Sequence, residues 1–96
     1  MTGTQTGQAL RLDEELDLSA AAPLKVALQA RRGEALALDA SAVQRLGGLC
    51  LQVLLAAAEA WRADELALEI TEPSEAFSKA VRQLGADGCL PVIRGE

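Results

Sequence analysis

The sequence predicts an α/β fold, a mixed or mostly parallel sheet of about four to five strands with about three helices packed on it. Three observations carry this. Short apolar runs alternate with stretches whose apolar residues recur at helical spacing. A near-continuous apolar run at 35–38 leads through a turn into a long apolar helix, the order expected of a parallel sheet. The 96 residues are half hydrophobic but include one Phe, one Trp and no Tyr, so the core is aliphatic and the chain builds a single small domain.

The elements follow in order. Residues 1–8 are mainly Thr, Gly and Gln and read as a flexible leader, 9–93 as the one domain, and 94–96 as its C-terminal end. Short strand segments at 9–12 and 16–18 flank the acidic 13–15, as a hairpin or a bent strand. Asp17 or Ser19 then offers an N-cap, with Pro23 in the first turn of a helix. Leu24, Ala27 and Leu28 mark the buried face of that helix; Lys25, Gln29, Arg31 and Arg32 lie outward or in its last turn, and Gly33 stops it. The two arginines complement the helix's negative end.

Residues 35–38 suit a central strand covered on both faces. From Gly48 to Trp61 only Gln52 and Glu59 interrupt a run of apolar residues. A domain this small can hardly enclose such a helix, so Gly48, Gln52, Ala56 and Glu59 form its exposed stripe, small-sided and weakly charged like a protein contact. Leu66, Leu68 and Ile70 alternate with Ala67 and Glu69 as a half-exposed strand. Ser74 caps a helix with Phe77, Ala80, Val81 and Leu84 inward and Gly85 at its end. Residues 90–93, interrupted by Pro91, read as an edge strand.

The net charge of −5 argues against nucleic acid and against anionic membranes, and no apolar run is long enough to span a bilayer. Histidine is absent, which removes Ser-His and Cys-His nucleophile pairs, the usual zinc sites and the commonest general base. No metal and no cofactor are expected. Cys50 and Cys89 read as buried, reduced thiols of a cytoplasmic protein. The carboxylates of Asp13, Glu14, Glu15 and Asp17 read as a solvated acidic turn, not an active site.

Residues 38–55 resemble the STAS family, named for sulfate transporters and anti-sigma factor antagonists. Leu38, Asp39, Ser41 and Val43 match the opening of its signature, Leu46 the apolar residue before its loop, and Leu51, Val53, Leu54 and Leu55 the helix that follows. Upstream, Glu15-Leu16-Asp17 is similar to the family's G-E-L-D segment; downstream, Pro73-Ser74 and Leu84-Gly85 also match. The loop departs from the pattern: the family's Asp falls on Gly47 and its phosphorylatable Ser on Gly48, which has no hydroxyl to phosphorylate.

The resemblance implies a non-catalytic interaction module of bacterial signal transduction, similar to stand-alone STAS proteins that accompany chemotaxis genes. Arg45, Gly47, Gly48, Gln52, Ala56 and Glu59 would form its partner surface. The implied partners are a serine kinase or anti-sigma factor, a chemotaxis component, or a lipid-transporting ABC ATPase. The alternative is a small-ligand sensor taking a nucleotide or lipid, or an accessory subunit of an ABC lipid transporter. Its ligand loop would hold Asp17, Asp39 and Ser41, beside backbone N–H groups left open at the Gly-led helix end.

Overall fold

The computed structural model describes residues 7–90 and 92–93. Strands β1 (Gly7–Arg11), β3 (Ala35–Asp39), β5 (Leu68–Thr71) and β6 (Val92–Ile93) form one sheet in the order β1-β3-β5-β6. Every pairing in it is parallel. A second, two-stranded parallel ladder joins β2 (Glu15–Leu16) to β4 (Arg45–Leu46). Helices α1 (Ala21–Gln29), α2 (Gly48–Ala63) and α3 (Glu75–Gln83) complete the α/β architecture expected from the sequence.

One core serves the whole domain. Leu36 and Leu38 of β3 and Leu68 and Ile70 of β5 point into it, where Leu24 and Leu28 of α1, Leu51, Leu54 and Trp61 of α2, and Phe77 and Val81 of α3 meet them. Among the described residues the other face of the sheet is open: Ala9 pairs with Ala37 and Ala37 with Glu69, and both Ala9 and Glu69 are exposed. The central strand β3 is therefore not covered on both faces as expected. Ala35 and Ala37 count as apolar in the sequence, but a methyl group is small enough to stay half-buried without a layer above it.

Residues 9–18 depart most from the sequence reading. They make neither a hairpin nor a bent strand: β1 joins the main sheet and Glu15–Leu16 turns away to pair with Arg45–Leu46. Leu18 lies in a 3-10 turn, Leu18–Ala20, and is 76% exposed. Asp17 caps that turn, and the N-cap of α1 itself, Ala20, has no side-chain hydrogen bond. β1 also takes in Gly7 and Gln8, which the sequence places in the leader; residues 1–6, the C-terminal 94–96 and Pro91 lie outside the described residues.

α1 ends at Gln29, four residues before Gly33, and its two arginines part company. Arg31 donates Nη1 to the carbonyl of Ala27 (3.2 Å), a helix-end contact of the kind expected. Arg32 leaves the helix, giving Nε and Nη2 to Asp64 Oδ2 (3.1 and 2.8 Å) with its guanidinium 5.7 Å from the centre of the Trp61 ring. Trp61 is buried and donates Nε1 to the carbonyl of Glu34 (2.8 Å), so Arg32 and Glu34 of the α1–β3 connection are both fastened to the C-terminal end of α2.

β5 starts at Leu68, two residues later than its alternating pattern suggested, because Glu65 (φ 60°) turns the chain back and Leu66 N–H bonds the carbonyl of Trp61. α3 keeps both its predicted ends. Gly85 (φ 78°) closes a Schellman turn in which Gly85 N–H bonds Arg82 O and Ala86 N–H bonds Val81 O. Leu84, placed on the buried face by its spacing, is 46% exposed, and Ala86 fills the core position instead.

At the start of α3, Ser74 Oγ accepts from Phe77 N–H (3.0 Å) and donates to the carbonyl of Val43 (2.6 Å). It thus caps α3 and ties it to the loop before α2. Ser74→Ala should lower unfolding free energy by about 1–2 kcal/mol in urea titration. A change below about 0.5 kcal/mol would show that the cap is idle.

Candidate functional site

The segment before α2 is held by backbone bonds to β2. Gln44 and Arg45 N–H both donate to Glu14 O (2.8 and 3.0 Å), and Gly47 N–H donates to Leu16 O (2.9 Å). Gly47, with extended backbone (φ −92°, ψ 168°), is the N-cap of α2, and Gly48 is the first helical residue. Leu51 N–H bonds Gly47 O (3.0 Å), and no side chain caps the end. A Cβ at 48 would meet nothing within 4 Å, so neither the space nor the backbone there demands glycine. Arg45 is exposed and lies 3.4 Å from Glu15 across the β2–β4 ladder, a solvated pair of little energetic weight.

Gly48, Gln52, Ala56 and Glu59 are all exposed and follow one crest of α2. The crest divides two troughs. Gln52 and Ala56 form one wall of a trough of about 440 Å³ between α2 and α1, floored by Leu28, Val53, Ala57 and Trp61. Glu59 instead borders a second, of about 420 Å³, toward β5 and the segment holding Cys89, and bonds Arg62 (2.7 Å). Leu49, half-exposed, lies one turn before Val53 on the same side of α2. The opposite wall comes from Lys25 and Gln29 of α1 and Arg32 of the turn after it, none of which the sequence marks as a site residue. The spacing of four places Lys25 and Gln29 on one face of α1, a signal present in the sequence, and the turn after the helix brings Arg32 to the same side.

The residues of the expected ligand loop are not gathered into one site. Asp39 Oδ1 accepts from Ser41 N–H (2.9 Å) in a local turn beyond β3. Asp17 Oδ1 accepts from Ser19 N–H and Oγ (3.1 and 2.8 Å) near α2, where Cys50 Sγ donates to the carbonyl of Asp17 (3.2 Å). The bonds from Ser41, backbone first, and the nearby Arg11 charge hold the Asp39 carboxyl below the usual range; Ser19, chiefly through its hydroxyl, does the same for Asp17. Burial, with the Asp17 charge adding to it, pushes the Cys50 thiol up. Cys89 is exposed, not buried as expected: it follows Gly88 (φ 87°) in a turn after α3 that carries it off the core.

The family model described as "Mlab, STAS domain" matches residues 1–94. The chain belongs to the STAS family. Among solved structures it is similar to the anti-sigma factor antagonist SpoIIAA in its unphosphorylated form. The TM-score is 0.70 at 14% identity, with 99% of this chain and 85% of that one covered. No curated protein matches in sequence. The signature positions of this STAS domain run from β3 through the turn at Asp39 and Ser41 into β4 and the first half of α2. Among the described residues no helix is long and apolar enough to cross a membrane.

Two outcomes test this local picture. Because the folded-state Asp39 and Asp17 carboxyls titrate below the ordinary value of 3.8, they add stability above that pH and lose it as pH falls through their lowered values. Asp39→Asn and Asp17→Asn should each flatten the acid limb of a stability–pH curve. An unchanged limb in both would remove the local turns as its cause. Native protein at neutral pH should give one fast thiol equivalent with Ellman's reagent, from Cys89, and a second only on unfolding. Fast labelling that survives Cys89→Ser would contradict the buried, proton-holding Cys50.

Proposed function

We propose that this STAS domain is a non-catalytic regulatory module of bacterial signalling, chemotaxis-associated by resemblance, that docks on a partner protein through α2. The carrying observation is the α2 crest, where Gly48, Gln52 and Ala56 are exposed without charge and Leu49 is 49% exposed beside them. Small side chains let another backbone approach closely, while Arg45 and Glu59 set the charge at either end. With Gly48 in place of the phosphorylatable serine the module is not switched by phosphorylation there, so partner binding is constitutive or governed on the partner's side.

A serine kinase or anti-sigma factor, a chemotaxis component and an ABC ATPase are the partner classes that family membership suggests. Docking has more support than a ligand loop, since the carboxylates of Asp17 and Asp39 are engaged in separate local turns. The test uses the partner recovered with the native chain. Gln52→Arg and Ala56→Glu should each weaken its binding at least about tenfold in a titration, roughly 1.4 kcal/mol. Unchanged binding by both, with folding intact by circular dichroism, would defeat the proposal.

A further inference from the structure

The trough between α1 and α2 carries the charge that identifies its occupant. Its floor is apolar, and the charged residues on its walls are Lys25 and Arg32, both basic. That composition stands against the rest of the chain, which has 14 acidic and 9 basic residues. Lys25 has no ion-pair partner among the described residues. Arg32 gives two of its nitrogens to Asp64 yet stays 46% exposed.

The trough exists because Val53, Ala56, Ala57 and Ala60 are too short to reach the side chains of α1 across it. From Gln52 to Trp61 it follows α2 for about 13 Å, two to three helical turns. It is open along one side, with Gln29, Gln52 and Ala56 all exposed at its lip. Small-molecule sites bury most of their ligand. This open channel suits a rod lying in it, and the crests beyond it are also apolar: Val26 on α1 is 65% exposed, Leu49 on α2 49%.

We propose that the trough receives an acidic amphipathic helix of the partner. Its apolar face lies on Val53, Ala56 and Ala60, and its carboxylates reach Lys25 and Arg32. The inference rests on the docking reading above and adds α1 and the partner's chemistry to it. Gln29 and Gln52 offer side-chain amides to the flanks of the bound helix from opposite walls.

The test places a photo-crosslinking benzoylphenylalanine at position 29 or at position 52 of the full chain, in its own cells, and sequences the crosslinked peptide. Position 29 should capture a segment whose apolar residues recur every three to four and whose flank carries Asp or Glu. A synthetic peptide of that segment should bind the purified chain, weaken as salt rises, and weaken about fivefold with Lys25→Glu. Silence at position 29 overturns the inference; capture at position 52 alone leaves the docking reading standing, and silence at both removes it too. A captured segment without acidic residues, a crosslink to a second copy of this chain, or binding unaffected or strengthened by Lys25→Glu also overturns it. So does dodecanoate, if it binds saturably and blocks capture at position 29, since the trough then takes an acyl chain.

Discussion

The β2–β4 ladder is the constraint on which the candidate surface depends. Two residues on each side, Glu15–Leu16 and Arg45–Leu46, bring together parts of the chain about thirty positions apart. Leu16 and Leu46 turn inward, and the carbonyls of Glu14 and Leu16 take the N–H groups of Gln44, Arg45 and Gly47. The start of α2 is thereby held by backbone bonds before any side chain acts. An uncapped helix led by two glycines would otherwise fray, because glycine gains most from remaining unordered.

From that anchor α2 runs across the core, and its far end is fastened separately. Trp61 is buried, bonds Glu34 O and lies under Arg32, while Arg32 reaches Asp64. A helix secured at both ends can be poorly filled at its sides. The alanines of α2 leave troughs on either flank, and the crest between them carries the small residues assigned to docking. Among the described residues the layer is one-sided: helices cover the face of Leu36, Leu38, Leu68 and Ile70, and the face of Ala9, Ala37 and Glu69 stays open. The sheet is thus a floor for α2, and the candidate surface lies on the helix, not at a strand edge.

Much of this was legible before folding was considered. The buried spacing of Phe77 and Val81 and the exposed crest of α2 follow from a period of 3.6, the Ser74 cap and the Gly85 stop from residue type, and the strand at 35–38 from its apolar run. The errors share a cause. Arg45–Leu46 looks like loop because a two-residue strand has no period to detect. The strand read at 16–18 failed because Leu18 is apolar yet faces solvent, and burial is decided by what packs above a residue. Cys89 and Leu84 were placed inside by residue type or spacing, but the turn around Gly85 and Gly88 rotates both outward.

What the sequence determined by itself was the alternation of strands and helices, a mostly aliphatic core, and a chain without histidine. These depend on composition and on short-range stereochemistry, which a chain carries with it. Tertiary structure decided the rest: that every strand pair described is parallel, that one sheet face lacks cover among the described residues, and that Lys25 of α1 and Arg32 beyond its end stand across a trough from Gln52 and Ala56. Those are relations between segments distant along the chain. Their register is set by packing around Trp61 and by the β2–β4 bonds, and no local pattern encodes it.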